Sequence, residues 1–193
     1  MLRVVIKSNN RQERRTVMID DNESNKAANN ILYIFMCIGI FPLLIIFCIY
    51  LNDPDSSILY SIAAGTSNLP AITSAKNPLM TKVMDVYCKS APLFTLLLIP
   101  SILHKRKIIT PYNKVAIVRS CLMGPIAYVF YIYFFLFSDF EMSMGYGFSK
   151  LISGSDLTLL LFYVAVYVSV FFFTYFILLV PLFVCDLVKR GER

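Results

Sequence analysis

The stretch ILYIFMCIGIFPLLIIFCIYL, residues Ile31–Leu51, decides what kind of protein this is. Its 21 residues carry no charge, and at 1.5 Å per residue a helix of that length covers the roughly 30 Å hydrocarbon core of a bilayer. A cleaved signal peptide lies nearer the start, has a shorter apolar run and ends in small residues. Ile45–Leu51 offers no such end, so the segment is expected to stay as an anchor. The rest of the chain agrees. Of its 193 residues 58% are hydrophobic and 15% aromatic, only 16% are charged, and the mean hydropathy is +0.67. An average globular domain has about 25% charged residues, so this chain lacks the polar side chains to cover a water-facing surface. The expected class is an all-α integral membrane protein.

Three more apolar runs follow. Ala91–Leu103 is short, but extending it back through Val83, Met84, Val86 and Tyr87 gives a span of about 84–103, with Asp85 and Lys89 paired at i, i+4 near the interface. Pro92 and Pro100 each remove a backbone donor, so a kinked or irregular helix is expected there. Val115–Phe137 is interrupted only by Arg119, one turn inside, whose guanidinium can snorkel to the headgroups. Leu157–Val184, at 28 residues, is longer than a bilayer requires and should tilt or project. The domain reading is therefore a cytoplasmic N-terminal segment, 1–30, and a single four-helix transmembrane domain, 31–193, with spans near 31–51, 84–103, 115–137 and 157–184.

The net charge of +6 comes from 18 Lys and Arg spread between apolar blocks, which read as topology determinants rather than as a nucleic-acid surface. The connection from His104 to Lys114 holds Lys105, Arg106, Lys107 and Lys114 with no acid, and Arg119 adds to that side. By the positive-inside rule it faces the cytoplasm, and with four spans both termini do too (N-in/C-in). Six basic residues before Ile31, and Lys189, Arg190 and Arg193 in the tail, point the same way. The loops Asn52–Ser90 and Ser138–Asp156, in which bases do not outnumber acids, face outward.

Catalytic patterns are absent. His104 is the only histidine, so no two-histidine metal site exists, and there is neither a nucleophile elbow nor a glycine-rich phosphate loop. No enzyme activity, cofactor or metal is expected. Cys37, Cys48, Cys121 and Cys185 lie in apolar runs and behave as small hydrophobes, while Cys88 has no evident partner. A small channel or transporter subunit is the alternative reading, as is a membrane scaffold. No charged residue sits at mid-membrane and no internal repeat is evident, which weakens the transport reading. Ala116, Ser120 and Gly124, and likewise Ala165 and Ser169, recur every four residues as small-x-x-x-small faces where helix backbones approach. Phe171, Phe172 and Phe173 lie halfway along the last run, too deep for an interfacial aromatic belt. The 39-residue outer loop, with Asp53-Pro54-Asp55 as a turn, Ile58–Ala64 as a segment that can lie on the membrane surface, and Pro70 and Pro78, is longer than a connection needs. It reads as a recognition surface.

Four segments carry a family resemblance: KAANNILY (Lys26–Tyr33), NLPAITSAKNPLMTKVMDVYCKSAP (Asn68–Pro92), VRSCL (Val118–Leu122) and DLTLLLFY (Asp156–Tyr163). With the helix pattern, about residues 20–190 resemble the membrane-embedded immunity proteins of pore-forming colicins of the A, B, U and Y type. The resemblance implies a four-helix inner-membrane protein with both termini in the cytoplasm. It also implies that the partner is the pore-forming domain of a cognate colicin, bound at its hydrophobic helical hairpin so that the channel does not open, with lipid as the surrounding medium. On that reading the outer loops and outer helix ends meet the toxin. The expected polar recognition residues are Asn68, Thr73, Asn77, Thr81, Lys82, Asp85, Lys89, Asp139 and Glu141, with Phe171, Phe172 and Phe173 as membrane-level contacts. The first 17 residues have no counterpart in the resemblance: they are either an upstream extension, since a start at Met18 would leave 176 residues, nearer the family's usual size, or a cytoplasmic, lipid-touching tail with five basic residues and one acid. Glu141–Ser153 is less family-like and is expected to help set specificity.

Overall fold

A computed structural model describes the backbone of residues 2–103, 105–106, 114–145 and 147–191, and the side chains of 22–102, 105–106, 119, 122–145, 147, 149–181 and 184. His104 and Lys107 lie outside the described residues, as do the side chains of Lys114, Ala116, Ser120, Cys121 and Cys185 and everything expected of the side chains before Asn22.

The chain is built from helices: α1 (Leu2–Asn52), α2 (Ser57–Gly65), α3 (Pro78–Cys88), α4 (Ala91–Leu103), α5 (Lys114–Phe137), α6 (Phe148–Ser153) and α7 (Asp156–Gly191). Two short strands, β1 (Ile72–Thr73) and β2 (Phe140–Glu141), and a 3-10 turn at Met142–Met144 complete it. Among the described residues three helices are long and apolar enough to cross a membrane: Asn22–Asn52, Pro78–Ile102, which joins α3 and α4, and Asp156–Pro181. The part of α5 that counts here, Leu122–Phe137, is a shorter apolar helix.

The first apolar run is the last part of a much longer helix, α1, which has already formed well before Ile31. The second of these helices differs from the reading of the sequence at two points. It starts at Pro78, where the proline takes the first helical position, whose N–H would have no intrahelical partner anyway. The irregularity falls at Lys89–Ser90, just ahead of Pro92. There Ser90 N–H donates to Tyr87 O at 2.9 Å and closes α3, and Leu93 N–H donates to Ser90 O at 3.0 Å to open α4. Pro92 is accommodated because it falls in the first turn of the new helix.

α7 is the central element. α1, α3, α4 and α5 all pack on it, and α1 also packs on α3 and α4. The core combines Leu43, Met80, Met84, Leu98, Tyr163, Tyr167, Val170 and Phe171, all buried. In lipid the hydrophobic effect does not drive helices together, so close packing and interhelical hydrogen bonds have to. The closest approach is at Gly39 of α1, where a Cβ would lie 2.0 Å from Tyr167 Oη of α7. Tyr87 of α3 donates to Gly39 O at 2.7 Å and stacks on Tyr167 with centroids 5.6 Å apart and planes 9° apart, so three helices meet at one glycine. The small-residue faces divide. Gly124 faces Ile177, and Ser169 accepts a 2.8 Å bond from Tyr131 on α5, while Ala165 is exposed.

Candidate functional site

Polar side chains gather at the two ends of the bundle. At the first end, Tyr50 near the finish of α1 donates to Asn77 Oδ1 at 2.7 Å, and Asn77 Nδ2 donates to Asp156 Oδ1 at 2.6 Å. Asn77 precedes α3 but makes no side-chain cap, because both ends of its amide are committed to these neighbours. Lys76 lies 3.2 Å from Asp156 and donates to Gly154 O at 3.2 Å. One short ladder therefore ties α1, α3 and the start of α7.

The second end is held by Arg106, which donates to Asn29 Oδ1 on α1 at 3.1 Å and to Tyr175 Oη on α7. Ser24 Oγ donates to Lys105 O at 2.6 Å. Both long helices measure the separation of the two ends. Tyr50 and Asn29 on α1, and Asp156 and Tyr175 on α7, are each about 30 Å apart along the helix axis at 1.5 Å per residue, the thickness of a hydrocarbon core.

At the first end the two loops that the sequence places on one side are joined. β1 and β2 pair in parallel, Ile72 with Phe140 and Thr73 with Glu141. Ser143 Oγ accepts from Ala75 N–H at 3.0 Å and lies 3.3 Å from Ser74 Oγ. The segment 69–74 is fastened from below by side chains that bond its backbone. Lys82 donates to Leu69 O, Lys89 to Pro70 O, and Tyr163 Oη to Ile72 O at 2.6 Å, while Ser74 N–H donates to Thr81 Oγ1 at 3.1 Å. The charge of Lys89 is balanced by Asp85 at 2.8 Å, and its ammonium lies 5.8 Å from the centroid of the Phe135 ring.

This placement sorts the residues expected to recognise a partner. Asn68 and Asp139 are exposed, and Thr73 and Glu141 lie side by side on the paired strands, half-buried. Thr81 and Asp85 are wholly buried and Asn77 nearly so, with Thr81 Oγ1 accepting from Ser74 N–H and Asp85 paired with Lys89. Lys82 and Lys89 are half-buried with their ammonium groups committed to backbone oxygens. The phenylalanine run divides. Phe171 is buried in the core, Phe172 is half-buried, and only Phe173, 48% exposed and 4.7 Å from the Tyr131 ring, reaches the outer surface.

Sequence reasoning passed over Tyr50, Lys76, Ser143, Asp156 and Tyr163 at this end, and the Asn29–Arg106–Tyr175 contact at the other. Asp156 had a legible signal, a carboxylate in the first turn of a long helix, where the N-terminal dipole favours negative charge. Cys88 is buried and its thiol lies 3.3 Å from Tyr163 O, so it does not face an aqueous compartment. Among the described residues no group of three His, Cys, Asp or Glu comes together as metal ligands. What the arrangement offers is a braced polar surface above a helical bundle, suited to binding.

The class so defined is a helical protein with apolar helices of membrane-crossing length and a loop platform at one end. Residues 55–192 match the family model described as colicin immunity protein, and the chain belongs to that family. It is 45% identical over 168 residues to the colicin-A immunity protein of Citrobacter freundii, covering 87% of this chain and 94% of that one. It is 40% identical over 175 residues to the colicin-B immunity protein of Escherichia coli, covering 91% of this chain and all of that one. No solved structure matches.

Proposed function

We propose that this chain crosses the bacterial inner membrane four times with both termini in the cytoplasm, and that it confers immunity by binding the pore-forming domain of a cognate colicin within that membrane. The toxin's hydrophobic helical hairpin is the element bound, and its capture keeps the channel closed. The family gives immunity; the observation that supports this way of achieving it is the β1–β2 pairing, which joins the two loops at one end of the bundle into a single platform. The opposite end gathers α1, the 105–106 segment and the last part of α7, as four alternating crossings require. α5 supplies the fourth crossing. Asn68, Thr73, Asp139 and Glu141 present polar groups to the toxin and Phe173 a membrane-level contact, while Asn77, Thr81, Lys82, Asp85 and Lys89 keep the platform in shape. Two sets of helices sharing a bilayer meet by lateral diffusion and associate through packing and buried polar contacts, without catalysis.

The test is to express the chain in sensitive bacteria and challenge them with several pore-forming colicins and one nuclease colicin. Survival against one or a few related pore formers, with unchanged killing by the nuclease, is expected. Killing by every pore former while the protein is inserted in the membrane would refute the proposal.

A further inference from the structure

α2 follows the end of α1 after only four residues, so it lies at the level where that crossing leaves the bilayer. It belongs to a stretch, Ser56–Ala75, that holds no charged residue, although Asp55 and Lys76 flank it directly. At 100° per residue Ile58, Leu59, Ile62 and Ala63 fall on one continuous apolar arc. The protein covers only half of that arc. Leu59 is fully buried and Ala63 half-buried where α2 packs on α3, whereas Ile58 and Ile62 are 58% and 41% exposed. Ser57 and Ser61 occupy the side away from α3. The Ser61 hydroxyl donates to Ser57 O at 2.8 Å and the Thr66 hydroxyl to Ile62 O at 2.8 Å. On α1, Leu44, Ile45 and Leu51 are likewise exposed, and they face lipid if α1 spans.

We infer that α2 is an interfacial helix: its Ile58–Ile62 edge is seated in the headgroup and acyl-chain boundary of the outer leaflet, and its Ser57–Ser61 side faces water. Such helices bury their apolar edge by about 5–10 Å. The inference rests on the spanning topology proposed above. Seated in this way, α2 fixes the height of the neighbouring 68–76 platform relative to the lipid, which is the level at which a membrane-borne toxin arrives.

The chain contains no tryptophan, so each introduced tryptophan is a sole reporter. The full chain is reconstituted in phosphatidylcholine–phosphatidylglycerol vesicles, with or without acyl-brominated lipid, as Ile58→Trp, Ser61→Trp and, for the lipid-facing middle of α1, Ile38→Trp. All three positions are exposed and accept the larger ring. Bromolipid is expected to extinguish much of the Ile38→Trp and Ile58→Trp emission, with shallow bromines acting most strongly on Ile58→Trp. Aqueous iodide is expected to quench Ser61→Trp. An Ile58→Trp signal quenched by iodide and not by bromolipid, or by neither, overturns the inference while a quenched Ile38→Trp leaves the topology standing. An Ile38→Trp signal untouched by bromolipid overturns both.

Discussion

Replacing Gly39 by alanine tests the contact on which the helix packing turns. The added Cβ falls 2.0 Å from Tyr167 Oη, 2.6 Å from Cζ and 2.9 Å from Cε1, so the ring has to retreat by about 1.4 Å to regain ordinary contact. It has little room to do so, because Tyr167 is fully buried between Tyr87, at 5.6 Å, and Phe171, at 6.3 Å. Overpacking of this kind costs about 1–3 kcal/mol, the upper part of that range applying to so close an approach, and alanine's advantage over glycine in a helix returns about 0.5–1 kcal/mol, which leaves a net loss of up to about 2.5 kcal/mol. The Tyr87 bond to Gly39 O weakens as well if α1 shifts. The assay is denaturation of the purified chain in detergent, repeated in a Tyr167→Leu background. Leucine lacks the three atoms that clash, so Gly39→Ala is expected to lose its cost there or to stabilise. Equal costs in the two backgrounds, or a more stable Gly39→Ala in the parent, would refute the close-packing argument.

Asp85→Ala strands the Lys89 ammonium in a buried site and is expected to cost about 3–5 kcal/mol, with an Asp85→Leu/Lys89→Met double variant less impaired than Asp85→Ala, measured as folded yield in membranes. Asn77→Ala deprives both Tyr50 and Asp156 of a partner and is expected to lose about 1–3 kcal/mol, whereas Lys76→Ala, which breaks a largely exposed ion pair, is expected to lose less than about 1 kcal/mol; detergent unfolding ranks the two. The β1–β2 register predicts that Thr73→Cys/Glu141→Cys forms a disulfide in oxidising medium and runs as a faster band without reductant, while Asn68→Cys/Glu141→Cys does not.

The long apolar helices were legible because a run such as Ile31–Leu51 satisfies its backbone polar groups internally when it forms a helix. A hydropathy reading counts Asp85 and Lys89 as two charges, though in the fold they neutralise each other, so it does not reveal that the apolar helix already begins at Pro78. Azimuth was invisible where apolar residues surround a helix. Phe171, Phe172 and Phe173 differ by 100° each, so one enters the core, one lies on the flank and one faces out, and nothing in a run of identical residues says which. The joining of Thr73 to Glu141 escaped for another reason. Two-residue strands have no periodicity, and their pairing depends on the backbone clamps from Lys82, Lys89 and Tyr163. Those side chains read in sequence as loop charges and a membrane aromatic.

Immunity as proposed requires this protein to act on the toxin inside the membrane. Its most direct test is potassium efflux from vesicles that hold the purified chain in their bilayer and receive the isolated pore-forming domain of the colicin against which it protects cells. Efflux is expected to fall as the chain-to-toxin ratio rises, while the pore-forming domain of a colicin against which the chain does not protect is expected to cause efflux at full rate. Undiminished efflux with the protected colicin's domain, from vesicles in which the chain is correctly inserted, would contradict this requirement.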